Sequence, residues 1–240
     1  MQTFELDVAS KIHEFFRGFR PHPPSGWWFR GQANLAWKLI PKAGRDMYFV
    51  PDNRDVGRFN HWRKSAVAYI TSLPVNDWEC LALAQHHGLA TRLLDWTFNP
   101  LVATYFACVE SLDTDGAVYL YEPELFVRET ELKLDADADG VGFIPRAIAP
   151  RLLNQKAAFT VHGPPNREIT VKPHFYFKDH SNLARLIIKK HCKIELLQML
   201  DDYGINNVTL FPDLDGLSRH VNWETSGMVS DRNRKRLESS

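Results

Sequence analysis

Gln85-His86-His87-Gly88-Leu89-Ala90-Thr91-Arg92-Leu93-Leu94-Asp95-Trp96-Thr97-Phe98-Asn99-Pro100 is the stretch from which this chain is read. Upstream of it, Asn76 and Glu79 have capping-box spacing and open a helix with Trp78, Leu81 and Ala82 on its apolar face. Gly88 is a natural stop for that helix. Downstream, Asn99 caps a second helix with Pro100 at its first position. Leu101, Val102, Tyr105, Phe106 and Val109 give that helix a wide core face. Between the two helices, Thr91 to Thr97 alternates as a buried strand does, with Thr91, Leu93, Asp95 and Thr97 on one face. The reading is helix, strand, helix. It is also dense in polar chemistry: Gln85, His86, His87, Arg92 and Asp95 lie within eleven residues. Buried polar groups are costly unless paired, so the cluster is either a tight structural network or a site.

Working outward, Trp27-Trp28-Phe29 predicts a strand that ends at Arg30-Gly31-Gln32, and Trp37 to Pro41 a second one. A helix is expected over 7–19, with Ile12, Phe15, Phe16 and Phe19 on one side, closed by Pro21, Pro23 and Pro24. Residues 45–60 read as irregular and charged, and about 60 to 73 as helix. Strands are expected at Gly116–Tyr121, Phe159–His162, Ile169–Val171, Arg185–Lys189 and Asn207–Phe211. Residues 192–203 read as helix ending at Gly204, and Asp213 or Asp215 starts a last helix; 122–150 is the least regular part. Helices and strands mix without βαβ alternation, so the class is α+β: a single domain with a mixed β-sheet flanked by helices. The expected division is a helical and proline-rich lead-in at 1–24, a domain at 25–225 and a polar tail at 226–240.

The 240 residues suit one large domain, and 44% of them are hydrophobic. Lys+Arg and Asp+Glu balance at 29 each, so no global pull on nucleic acid or membrane is indicated, although a local basic patch is compatible with that total. Cys80, Cys108 and Cys192 are odd in number and beside apolar residues, which predicts buried reduced thiols in a reducing compartment. No signal-peptide pattern and no run of about 18 apolar residues is seen, so a cytoplasmic protein without a membrane partner is expected.

Asp135, Asp137, Asp139 and Gly140 match half a calcium loop, but Arg146 stands where the bidentate Glu belongs. No CxxC, HExxH or paired Cys/His spacing occurs, and no metal is expected. The absence of GxSxG, GxxxxGK[ST] and GxGxxG weighs against an α/β-hydrolase, a P-loop enzyme and a Rossmann cofactor protein. Arg30 remains: at the end of an aromatic strand its guanidinium can fork onto a phosphate or carboxylate, with Gly31 letting a ligand approach the backbone. The competing reading is an Arg30–Asp95 ion pair that ties two segments together. Asp95 and Thr97 would flank a ligand at the mouth of the helix after Asn99, whose free N–H groups suit an anion. Gln155, just before a strand, would orient a ribose hydroxyl or a water.

Trp28-Phe29-Arg30-Gly31-Gln32, Leu81 to Leu89, Thr91 to Thr97, Asn99 to Ala107 and Phe211 to Gly216 together resemble the FRG domain family, in the family's order over roughly 25–222. Two departures affect turns: Ala90 replaces a usual proline, and Lys156-Ala157-Ala158 a stretch that usually carries glycine. The family resemblance implies a bacterial or phage protein of conflict and defence systems. The motif order is also similar to that of ADP-ribosyltransferase folds, in which an arginine on a first strand, a Ser/Thr-rich strand before an apolar helix and a Glu or Gln before a later strand follow one another. Arg30, Thr91–Thr97 and Gln155 fall in that order. The resemblance implies NAD as substrate, with Arg30, Asp95 and Gln155 as catalytic residues and Gln32, Gln85, His86, Arg92, Trp96 and Thr97 lining the ligand. Trp96 or His86 would stack on the nicotinamide, and Glu168 is the nearest spare glutamate. The alternative is a non-catalytic module for a nucleotide, a nucleic-acid end or a phosphorylated protein partner, with Arg30, Arg92, Arg151 and Lys156 as local positive charge. A third reading makes the polar cluster structural.

Overall fold

The computed structural model describes residues 1–19, 26–127, 132–146, 156–174 and 180–227. Among them, β1 (Gln2–Leu6), α1 (Ile12–Arg17), β2 (Trp28–Gln32), α2 (Arg54–Ala66), α3 (Asp77–His86), β3 (Leu93–Thr97), α4 (Pro100–Cys108) and β4 (Gly116–Tyr121) come first. Then follow β5 (Ala138–Phe143), β6 (Ala157–Gly163), β7 (Leu183–Ile188), α5 (Lys193–Asp202), α6 (Asn207–Leu210) and α7 (Leu214–Glu224). The strands form one seven-stranded sheet in the order β1-β7-β4-β2-β3-β6-β5. Only β1 against β7 is parallel among these ladders. The expected mixed sheet with flanking helices is what the chain builds.

The helix–strand–helix reading of 76–108 holds, with the strand starting at Leu93 rather than Thr91 and the second helix ending at Cys108. The Asn76 side chain accepts from the N–H groups of Trp78 and Glu79. Gly88 ends α3 at φ +91°, a backbone region that glycine enters without a Cβ clash. The Asn99 side chain accepts from the Leu101 N–H, and Pro100 opens α4. Strand alternation then sorts the core. Phe29, Val118, Leu120 and Leu186 face α1, α4 and α5. Leu93, Phe143, Phe159 and Val161 face α2 and α3. On the other side of the sheet, Trp28, Leu94, Trp96, Tyr119 and Tyr121 pack with Leu39 and Ile169. Since Phe29 is paired with Thr97, α4 and α3 lie on the same face of the sheet, and Asp95 lies between them.

Several expectations are corrected. Residues 37–41 and 169–171 are not strands, although Leu39 and Ile169 are buried. Trp37 is 45% exposed, so the proline that was to stop a strand follows an irregular loop. Asn207–Leu210 is a short helix, because Asn206 and Thr209 form a reciprocal capping box that outweighs the β-branched pair Val208-Thr209. Helix α2 spans Arg54–Ala66 rather than about 60 to 73. The helix expected over 7–19 shrinks to Ile12–Arg17, and Gln2–Leu6 instead forms an edge strand. Glu79 does not close a capping box: it is buried, and its carboxylate accepts from the Arg146 N–H. Pro21, Pro23, Pro24, Arg151, Gln155 and the tail from 228 lie outside the described residues.

Cys80, Cys108 and Cys192 are buried free thiols, as expected. Burial pushes the Cys108 thiol up to about 12. The acidic loop faces cations of its own chain: Asp137 lies 3.3 Å from Arg167, and Asp139 3.9 Å from Lys172. No helix among the described residues is long and apolar enough to cross a membrane.

Candidate functional site

Strands β2 and β3 share a single ladder pair, Phe29 with Thr97. In a continued antiparallel ladder Asp95 would oppose Gly31. Instead the strands part there, and the Arg30 guanidinium fills the place of the ladder, with Nη1 donating to the Asp95 backbone carbonyl at 2.9 Å. The same nitrogen is 3.5 Å from the Asp95 carboxylate. The Arg30 side chain is 13% exposed and the Asp95 side chain 61% exposed. The two face one another at a hollow, as the sequence reading requires. Burial pushes the Arg30 pKa down, Asp95 pulls it back up and Arg45 pushes it down again; an arginine remains cationic under these influences.

Asp95 is held from the other side by α3. Gln85 Nε2 donates to Asp95 Oδ1 at 2.7 Å, and the Thr91 hydroxyl donates to Gln85 Oε1. The last turn of α3 is thus tied to β3 by a chain of side chains ending on an exposed carboxylate. His86 follows Gln85 at the rim. Two basic residues not foreseen from the sequence complete this side. Lys42 donates to the Gly88 carbonyl at 3.0 Å and lies over the Tyr48 ring, and Arg45 is exposed at the mouth. The cavity bounded by Arg30, Lys42, Arg45, Gln85, His86 and Asp95 has a volume of about 300 Å³. A second cavity of about 260 Å³ shares Arg30 and Asp95 and extends toward α4.

The other candidate residues have different duties. Arg92 is 1% exposed and grips Asp55 in a bidentate pair, with Nε to Oδ2 and Nη2 to Oδ1 both at 2.8 Å; Nη2 also reaches the Asn53 side chain at 3.0 Å. It fastens β3 to α2 and does not line the cleft. Gln32 is buried and donates to the Lys38 carbonyl at 3.3 Å, which holds the following loop. Trp96 borders the second cavity, but its indole is not open to a ligand: it is 3% exposed, donates to Thr160 at 2.8 Å and packs on Tyr121. Thr97 lines the second cavity, and its hydroxyl accepts from the Asn99 N–H at 3.0 Å. With Asn99 capping Leu101, part of the α4 N-terminus is satisfied internally. Gly31 does serve a close approach, but of a helix and not of a ligand: a Cβ there would stand 1.9 Å from the Ala103 carbonyl oxygen. Glu168 accepts from the Leu39 N–H at 2.8 Å and is a loop anchor. Lys156 does not line either cavity. Gln155 is outside the described residues, so its role stays an expectation.

For a metal, Asp201, His220 and Glu224 are the group among the described residues whose ligand atoms lie within 4.8 Å of one another. They sit on α5 and α7, which do not line the cleft, and His220 Nε2 is already 3.3 Å from the Glu224 carboxylate.

No curated protein and no solved structure matches this chain. The family model of the FRG domain matches residues 25–116, from the approach to β2 through the first residue of β4. That span contains every described residue of the first cavity except Phe159, while Phe211–Gly216 falls beyond it. The chain therefore carries an FRG domain at residues 25–116.

Proposed function

We propose that the cleft between α3 and α4 binds a phosphate-bearing nucleotide, with NAD as the first candidate. The observation that carries this is the charge at its mouth. Arg30, Lys42 and Arg45 converge there against the single carboxylate of Asp95, in a chain whose formal charge is zero. Such a local surplus attracts a multiply charged anion. The Arg30 side chain is 13% exposed, and its buried Nε has no partner within the chain. Asp95 and Gln85 offer an exposed acceptor and an amide beside it, the groups a sugar hydroxyl needs.

Binding is better supported than turnover. Breaking a glycosidic bond develops positive charge, which three nearby cations oppose and one carboxylate favours. What speaks for turnover is the 61% exposure of Asp95, which leaves it accessible to a reacting sugar. NAD cleavage or ADP-ribosyl transfer is therefore the second reading, as is a setting in bacterial or phage conflict, which comes from the FRG resemblance. The experiment is calorimetric titration of the purified chain with NAD⁺ and ADP-ribose, followed by assay of free nicotinamide in the NAD⁺ mixture. Saturable binding lost in Arg30→Ala supports the first reading, and release of nicotinamide adds the second. If wild type and Arg30→Ala both fail to bind, the nucleotide reading is wrong.

A further inference from the structure

We infer that the ligand is a two-part molecule, a nucleoside phosphate laid across two chambers, with its phosphate in the charged one and its base in the uncharged one. The assignment rests on the nucleotide reading above and adds to it which chamber takes the phosphate and which the base. The two cavities are not independent: Arg30 and Asp95 belong to both and form the partition between them. Their other walls differ in charge. The first adds Lys42, Arg45, Gln85 and His86 beside the apolar Leu89, Leu93, Leu94 and Phe159. Among the described residues the second adds no further charge; Phe29, Val102, Ala103, Phe106 and Ala157 supply apolar walls beside the Thr97 hydroxyl.

An inorganic anion would use the first chamber and leave the second without purpose. An apolar ligand would use the second and leave three cations uncompensated. A single molecule with an anionic end, a hydroxylated middle and a flat uncharged end meets all three surfaces. Asp95 stands at the middle, where its exposed carboxylate accepts from sugar hydroxyls. The volumes suit this division. The second chamber, at about 260 Å³, is several times the roughly 30 Å³ share of a water molecule and accommodates a planar ring. The ring would enter between the start of α4 and the start of β6, where Ala157 opposes Thr97 across the strand pair. Small side chains at Ala103 and Ala157 keep that entrance open, and a larger residue at 157 would close it.

The test compares ligands that differ only in the base. The full chain is titrated calorimetrically with ribose 5-phosphate, AMP and UMP, as wild type and as Ala157→Phe. At least one mononucleotide should bind wild type ten times more tightly than ribose 5-phosphate does. Ala157→Phe should erase that ratio while changing the ribose 5-phosphate affinity less than twofold. If ribose 5-phosphate binds but neither base adds affinity, or if Ala157→Phe leaves the ratio intact, the two-chamber assignment falls and the anion reading stands. If none of the three binds wild type, both fall. Saturation-transfer NMR on the wild type decides the same point should the variant not fold. Strong transfer to base protons supports the assignment, and transfer to ribose protons alone overturns it.

Discussion

Two arginine–aspartate pairs flank strand β3, and they are built to opposite ends. Arg92 and Asp55 are 1% and 3% exposed and meet through two parallel bonds of 2.8 Å. Arg30 and Asp95 are 13% and 61% exposed, and the side chains stand 3.5 Å apart. The first pair exhausts the carboxylate of Asp55, and the hollow that it borders with Phe59 and Leu81 is too small to hold a water molecule. Each arginine keeps one buried nitrogen without a partner, so the difference lies elsewhere: the second pair leaves a carboxylate open to solvent and a cavity on each side. A closed pair fastens two elements, and an open pair at a gap in a sheet is a place for a third party.

The largest effect that could break this contrast is on stability. Asp55→Ala strands a buried guanidinium, so a loss of about 3–5 kcal/mol is expected by urea denaturation. An equal loss from Arg30→Ala would make the two pairs alike and return the polar cluster to a structural role. The opposite face of the sheet sharpens the comparison through pH. His162 Nε2 is 2.9 Å from the Thr160 hydroxyl, which itself accepts from Trp96, while Nδ1 faces the Arg167 carbonyl at 3.4 Å. A neutral ring protonated at Nδ1 completes that chain. Burial lowers its pKa from 6.5 to about 4, against a pull upward from the Arg167 carbonyl. The fold therefore favours the neutral ring. Its stabilisation is complete above pH 6.5 and is lost as the pH falls toward 4, on the order of 3 kcal/mol in all. Denaturation midpoints measured from pH 7 to 4 should show this fall, and His162→Gln should flatten it.

The next effect concerns the ligand alone. Arg30→Ala should weaken nucleotide binding at least tenfold, about 1.4 kcal/mol, with the fold retained by circular dichroism. The smallest is Asp95→Asn. Its partner pair is solvent-screened, so a stability change below about 1 kcal/mol is expected by thermal melting. A larger change would show that the open pair fastens more than its exposure implies.

What the sequence made legible follows the range of the forces involved. Helices α3 and α4 and strand β3 are fixed by signals within a few residues: Asn76, Gly88, Asn99 and Pro100 act on their own neighbourhood. Arg30 and Asp95 were legible as partners because their strands are neighbours. Strand β5 was not, since Ala138–Phe143 carries Asp139, Gly140 and Gly142 and draws its place from pairing with β6. Lys42 and Arg45 were missed for a related reason. They reach the cleft through a loop folded against the end of α3, where the Lys42 ammonium is anchored by the Gly88 carbonyl 46 residues away. Arg92 was misplaced because its partner Asp55 lies in a stretch that reads as irregular but begins α2. Sequence showed which groups were chemically conspicuous, and tertiary packing decided which were sealed and which were left open.

A crystal structure of the chain soaked with ADP-ribose tests the central claim most directly. The account predicts a phosphate oxygen within hydrogen-bond reach, about 3 Å, of the Arg30 guanidinium, with a sugar hydroxyl on Asp95. Arg30 still sealed against Asp95 in a full-occupancy complex, with the nucleotide bound elsewhere, would contradict it.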